Sequence, residues 1–134
     1  MVYLLDTDTC IFCMRHRPPE VKTRLEEVGM DAVCVSVITS YELRYGAEKH
    51  PHPIKARENL RAFLAPFRII QLTDAVAEQA AKIRANLEKR GEMIGPYDIL
   101  IAAHAKALGL TAVTNNEREF RRVEGLKVEN WCPI

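Results

Sequence analysis

Val2-Tyr3-Leu4-Leu5-Asp6-Thr7-Asp8 is the stretch on which the fold turns. Four apolar residues run without a break into an acid. A short continuous apolar run is the pattern of a strand buried on both faces, as in a parallel sheet covered by helices. Asp6 then stands at the carboxyl end of that strand, the edge of an open α/β sheet where ligands bind.

Outward from this strand, helix and strand patterns alternate. Residues 8–16 read as a helix carrying Ile11, Phe12 and Met14. Pro18-Pro19 breaks it and opens a second helix, 19–28, which Gly29 ends. Residues 32–35 read as a second buried strand, with Ser36 as N-cap of a helix that contains Glu42. Pro51 and Pro53 mark a loop, and residues 54–65 form a helix with Leu60, Phe63 and Leu64. Residues 68–72 are a third strand. Thr73-Asp74 caps a long Ala-rich helix that runs to Arg90 and stops at Gly91. Gly95-Pro96 opens a helix over 96–108, ended by Gly109; residues 111–114 and 127–129 supply a fourth and a fifth strand. This alternation predicts an α/β domain with a mostly parallel sheet and helices on both faces.

The 134 residues are expected to form one domain, 1–134, large enough to bury a core without disulfides or metal staples. Apolar residues make up 48% and charged residues 28%, which excludes a disordered chain. No apolar run reaches membrane-span length and no secretion signal is present, which points to the cytoplasm and away from a membrane. A net charge of +1 argues neither for nor against nucleic acid. Contact with nucleic acid has to rest on local clusters: Arg15-His16-Arg17, the stretch from Lys49 to Arg57, and Arg118 with Arg121 and Arg122. Each reads equally well as solvated surface charge. Cys10-x-x-Cys13 has the spacing of a metal or redox pair, but no second pair follows it. On a helix after a buried strand, these cysteines read as small apolar filler.

Several acids fall where solvent does not want them. Glu42 shares a helical face with Ile38 and Tyr45. Asp98 heads the apolar stripe Ile101, Ala102, Ala105, and Asp6 ends a buried strand. Asn116 and Glu119 follow the fourth strand, again at a carboxyl end. Each has a plain structural alternative. Asp98 suits the first turn of its helix, a contribution of about 0.3–1 kcal/mol. Glu42 can pair with Arg44 or Arg84, Asp6 can cap a loop, and Asn116 and Glu119 suit a turn and a surface. The functional case is the conjunction. Two carboxylates about 5 Å apart at an effective dielectric near 20 repel by roughly 3 kcal/mol. A group of them takes up protons or requires a cation. An all-oxygen donor set suits a hard cation, Mg²⁺ or Mn²⁺, which keeps its waters and meets a phosphate. Phosphodiester hydrolysis is the natural reaction for such a site.

The blocks LLDTDTCIF (4–12), SVITSYELRYGAEK (36–49), GPYDILIAAHAKALGL (95–110) and TNNEREFRRVEGLKVENW (114–131) resemble PIN-domain ribonucleases, specifically the VapC toxins of bacterial toxin–antitoxin pairs. The resemblance covers almost the whole chain. It implies a three-layer α/β/α sandwich and a Mg²⁺-dependent endoribonuclease, with Mn²⁺ as a substitute. Asp6 is similar to the family's first metal-binding Asp, Glu42 to the acid of the second block and Asp98 to the third acid. Asn116 stands where the family varies between Asp and Asn, so the charge of that block falls to Glu119. Asp6, Glu42, Asp98 and Glu119 are thus the metal set that the resemblance implies, with Asn116 beside them. Asp8 adds a charge where relatives often have Asn or Ser, and Thr7 and Thr114 offer hydroxyls behind the acids. The resemblance also implies a cognate antitoxin that occludes the site, a homodimer, and structured RNA such as initiator tRNA as substrate.

Two other readings compete. Leu4-Leu5-Asp6-Thr7-Asp8-Thr9 also resembles the opening motif of haloacid-dehalogenase-type phosphatases, in which Asp6 is the nucleophile. That fold needs a later GD-x-x-x-D pair, which this chain lacks. The other is a non-enzymatic module whose acidic pocket engages an Arg-bearing partner.

Overall fold

Leu4 and Leu5 are both fully buried, on opposite faces of one strand. A computed structural model describes residues 1–133. The elements are β1 (Tyr3–Leu5), α1 (Thr7–Arg15), α2 (Pro19–Val28), β2 (Val33–Ser36), α3 (Val37–Glu48), α4 (Pro53–Leu64), β3 (Arg68–Ile70), α5 (Asp74–Arg90), α6 (Pro96–Leu108), β4 (Thr111–Val113), α7 (Glu117–Phe120) and β5 (Lys127–Glu129). A 3₁₀ turn, Met30–Ala32, precedes β2.

The sheet runs β3-β2-β1-β4-β5 with every pair parallel, so the expected mostly parallel sheet is wholly parallel. One core packs Leu4, Cys34 and Ala112 against α5, α6 and Phe120. The other packs Leu5, Val33, Val35 and Val113 against α1 to α4. Helices thus cover both faces, in three layers. Cys10 and Cys13 are buried free thiols within these cores, the filler role expected of them, and Cys34 is a third.

Register places the site. Leu5 lies opposite both Val35 and Val113, so β1 and β4 finish level and β2 runs one residue further, to Ser36. The residues that follow, Asp6, Ser36 and Thr114, form a row along the carboxyl edge. The Asp6 amide donates to the Val113 carbonyl at 3.0 Å, which carries the ladder one step past the strand. The chain passes from β1 to β2 and β3 on one side and returns to β4 and β5 on the other. The strand order therefore reverses at β1, and Asp6 sits at that switch point.

Differences from the sequence expectation are local. α1 begins at Thr7 rather than at residue 8, because Asp6 itself is the cap. β3 stops at Ile70, and the Gln71 carbonyl turns to His104 instead of a neighbouring strand. The one-turn helix α7 is too short for its periodicity to show in the sequence.

Candidate active site

Asp6 is 3% exposed and is the N-cap of α1, accepting the Thr9 amide at 2.9 Å on Oδ1. The sequence alternative, a capping role, is therefore real. It fixes the carboxylate rather than replacing a site. Burial raises the Asp6 pKa, the Thr114 and Thr9 hydroxyls and the Thr9 amide pull it back, and nearby Asp8 raises it again. The Thr9 hydroxyl donates to the Val113 carbonyl at 3.1 Å, which ties the start of α1 to the end of β4.

Glu42 comes from α3, six residues past the Ser36 N-cap, whose Oγ accepts the Ile38 amide at 3.0 Å. Neither suggested arginine reaches it. Arg44 Nε donates to Ser40 at 3.1 Å and Arg84 Nε to Glu88 at 2.9 Å. Instead the Thr7 hydroxyl donates to Glu42 Oε1 at 2.6 Å, with the Thr39 hydroxyl 3.2 Å away as its second partner. Thr39 was not foreseen; its contact with Thr7 spans 32 positions and leaves no local trace.

Asp98 lies in the first turn of α6, as its helix-dipole alternative requires. That alternative is incomplete, because favourable placement at a helix N-terminus lowers a carboxyl pKa. Asp98 goes the other way and is pushed up to about 6. Burial is the largest cause, followed by the charges of Asp6, Glu42, Asp8 and Glu119. Four other acids from three further segments thus press on this one carboxyl. Glu119 is held by Asn116, whose Nδ2 donates to Oε2 at 2.7 Å. The Asn116 amide in turn donates to Thr114 Oγ1 at 2.9 Å. Asn116 therefore adds no charge and orients the acid that does. Asp8 is exposed at the rim.

Asp6, Glu42, Asp98 and Glu119 share one electrostatic neighbourhood at the switch point. Among the described residues, no three such side chains stand as a ready-made ion cage. Mg²⁺ is commonly held through only one or two carboxylates, with waters and substrate phosphate filling the rest. The donor set is entirely oxygen, and its unbalanced charge is what a hard divalent cation relieves.

The basic clusters separate. Arg121 bonds Glu117 at 3.2 Å, Arg122 bonds the Met93 carbonyl at 3.0 Å, and Arg57 pairs with Glu48 at 2.7 Å. Arg15, Lys22, Lys49 and Lys55 instead line a broad groove that also takes in Thr7, Asp8 and Glu42. No helix among the described residues is long and apolar enough to cross a membrane.

The PIN domain family profile matches residues 3–126. The chain is 38% identical to the tRNA(fMet)-specific endonuclease VapC of Salmonella typhimurium, over 97% of this chain and 98% of that one. It is 42% identical to Ribonuclease VapC2 of Haemophilus influenzae, over 96% and 97%. Among solved structures, the DNA-bound VapBC of Salmonella typhimurium superimposes with a TM-score of 0.93 at 38% identity, covering 98% of this chain and 99% of that one.

Proposed function

This chain belongs to the PIN-domain family, among relatives named VapC ribonucleases, and from that membership we propose that it is the endoribonuclease toxin of a toxin–antitoxin pair. The reaction is hydrolysis of RNA phosphodiester bonds with Mg²⁺ or Mn²⁺. The single observation that carries the reading is the Asp98 carboxyl, held near 6 by burial and by surrounding acids at the sheet's switch point. A site that stores unbalanced negative charge where ligands bind is suited to a cation that bridges it to a phosphate.

Asp6 and Asp98, with Glu42 and Glu119, would hold the ion, which when bound activates water and neutralises charge growing on the phosphoryl oxygens. The chain's own residues set the stage. Asp6 is immobilised as a helix cap, so its position costs no rearrangement during turnover. Glu42 engages Thr7 through one oxygen and keeps the other to orient the attacking water. Asn116 keeps Glu119 turned toward the site. The cations of Arg15, Lys22, Lys49 and Lys55 hold flanking phosphates.

Two relatives extend the proposal. The VapC named as tRNA(fMet)-specific supports tRNA, initiator tRNA in particular, as the substrate class. The solved VapBC complexes support a cognate VapB-like antitoxin as partner, and its covering the site is part of the same proposal. We include a homodimer and a cytoplasmic location in the same proposal.

The test is RNA cleavage by the purified chain with Mg²⁺, with EDTA as control, followed by sequencing of RNA ends after induced expression. Asp6→Asn and Asp98→Asn should each lower kcat/KM by roughly 10²-fold or more while circular dichroism stays unchanged. Full activity in either variant would reject the assignment. Absence of EDTA-sensitive cleavage of any RNA would favour the acidic binding module instead.

A further inference from the structure

Tyr41 and Tyr97 are the residues immediately before Glu42 and Asp98. Consecutive helix positions are about 100° apart, so as the two acids turn into the site the two tyrosines are left on its rim. Their rings meet edge to face, with centroids 5.6 Å apart and planes at 65°, and their hydroxyls are 3.4 Å apart. The pair joins α3 to α6 across 56 positions. It is nonetheless exposed, at 52% for Tyr41 and 43% for Tyr97.

Both rings line the groove that contains Thr7, Asp8 and Glu42. Along the same groove lie Arg15, seven residues past Asp8 at the rim, and Lys49, seven past Glu42 at the end of α3, each about 10 Å farther along. Tyr45 also faces this groove, but Lys49 Nζ lies over its ring at 4.9 Å and occupies that face. The juxtaposition is therefore an acidic centre, two paired aromatic rings at its mouth, and cations beyond them. A single-stranded polyanion with flat bases matches that order. A purely apolar partner leaves the cations without a role.

We propose that Tyr41 and Tyr97 form a stacking platform that holds the base of a nucleotide beside the scissile phosphate. The proposal rests on the ribonuclease reading and deepens it, because it assigns the groove to unpaired RNA and gives the tyrosines a positioning role. Stacking is indifferent to base identity, so the platform fixes the strand's placement rather than its sequence.

The probe is single-stranded RNA carrying 2-aminopurine, whose fluorescence falls on stacking, bound to the full chain with Asp6→Asn to prevent cleavage. Quenching is expected on binding. Tyr41→Ala or Tyr97→Ala added to that background should weaken binding by roughly 5- to 150-fold and abolish the quench. Phe at either position keeps the ring and should restore the quench. With Asp6 intact, the alanine variants should raise KM more than they lower kcat. The proposal is overturned by unchanged quench and affinity in the alanine variants, by Phe damaging as much as Ala, or by no RNA binding at all. It is equally overturned if the alanine variants convert a dimer to monomer with quench retained, which assigns the rings to a second copy of the chain. Cleavage by the intact chain with indifferent tyrosine variants rejects the platform alone. Quenching without any Mg²⁺-dependent cleavage rejects the ribonuclease reading and leaves the platform standing.

Discussion

The Thr7 hydroxyl has one proton, and it goes to Glu42 at 2.6 Å. Thr7→Val keeps the side chain's shape and removes that proton. Losing a hydrogen bond to a charged group costs about 1.5–3 kcal/mol, so cleavage should fall by roughly 10- to 150-fold with the fold intact, as judged by kinetics beside circular dichroism. Wild-type kinetics in this variant would show that Glu42 needs no anchor. Asp98 has its own pH signature. Its folded pKa is raised to about 6, so the folded chain binds that proton more tightly than the unfolded chain does. Its effect on stability favours the folded state at low pH and is lost as pH rises through about 6. The proton also competes with a cation. Apparent Mg²⁺ affinity measured by calorimetry should therefore rise as pH passes upward through about 6 and then level off. A flat profile would separate Asp98 from the ion. At this scale the sequence was informative where an acid ended a buried strand, as Asp6 does, or headed a buried stripe, as Asp98 does; the face shared by Glu42 is not a buried one, since Tyr45 is 57% exposed. The sequence could not reveal Thr39 behind Thr7 or Tyr97 against Tyr41, because those contacts join segments tens of positions apart.

Two helices, α3 and α6, deliver Glu42 and Asp98, and a buried histidine fixes one to the other. His104 on α6 is fully buried. Its Nε2 lies 3.2 Å from the Gln71 carbonyl, which only accepts, so that nitrogen carries the proton. Nδ1 then accepts from the Ser36 hydroxyl at 2.6 Å, and Ser36 in turn accepts the Ile38 amide at the start of α3. Burial lowers the His104 pKa, which keeps the ring neutral as this network requires. His104→Ala opens a cavity and strands both partners. It should cost about 2–4 kcal/mol in urea unfolding, and a loss under about 1 kcal/mol would contradict the network. The element boundaries were largely readable because their punctuation is chemical. Ser36 and Thr73 accept backbone amides as caps, while Gly91 and Gly109 take up the left-handed turns that end α5 and α6. The end of β3 was not readable, because a histidine far along the chain competes for the Gln71 carbonyl.

Across the whole molecule, the wholly parallel sheet brings residues from four separate blocks to one edge. Asp6, Glu42 and Glu119 come close enough to act on the Asp98 carboxyl, with β1 central and the strand order reversing beside it. The alternation of strands and helices made this architecture legible, whereas strand order carries no local mark. Such a site conflicts with stability, since it gathers like charges that folding alone leaves uncompensated. Asp98→Asn removes one of them. In the absence of divalent ions the variant should melt at a higher temperature than wild type, and Mg²⁺ should raise the wild-type Tm and shift the variant's less. Equal Mg²⁺ shifts would place the ion elsewhere.

The most direct measurement is anomalous diffraction at the manganese edge from crystals soaked in Mn²⁺. The account predicts a peak at the carboxyl edge of β1 and β4, with Asp6 and Asp98 oxygens coordinating it directly or through one water. A peak bound elsewhere, or none at a Mn²⁺ concentration that supports RNA cleavage, would contradict it.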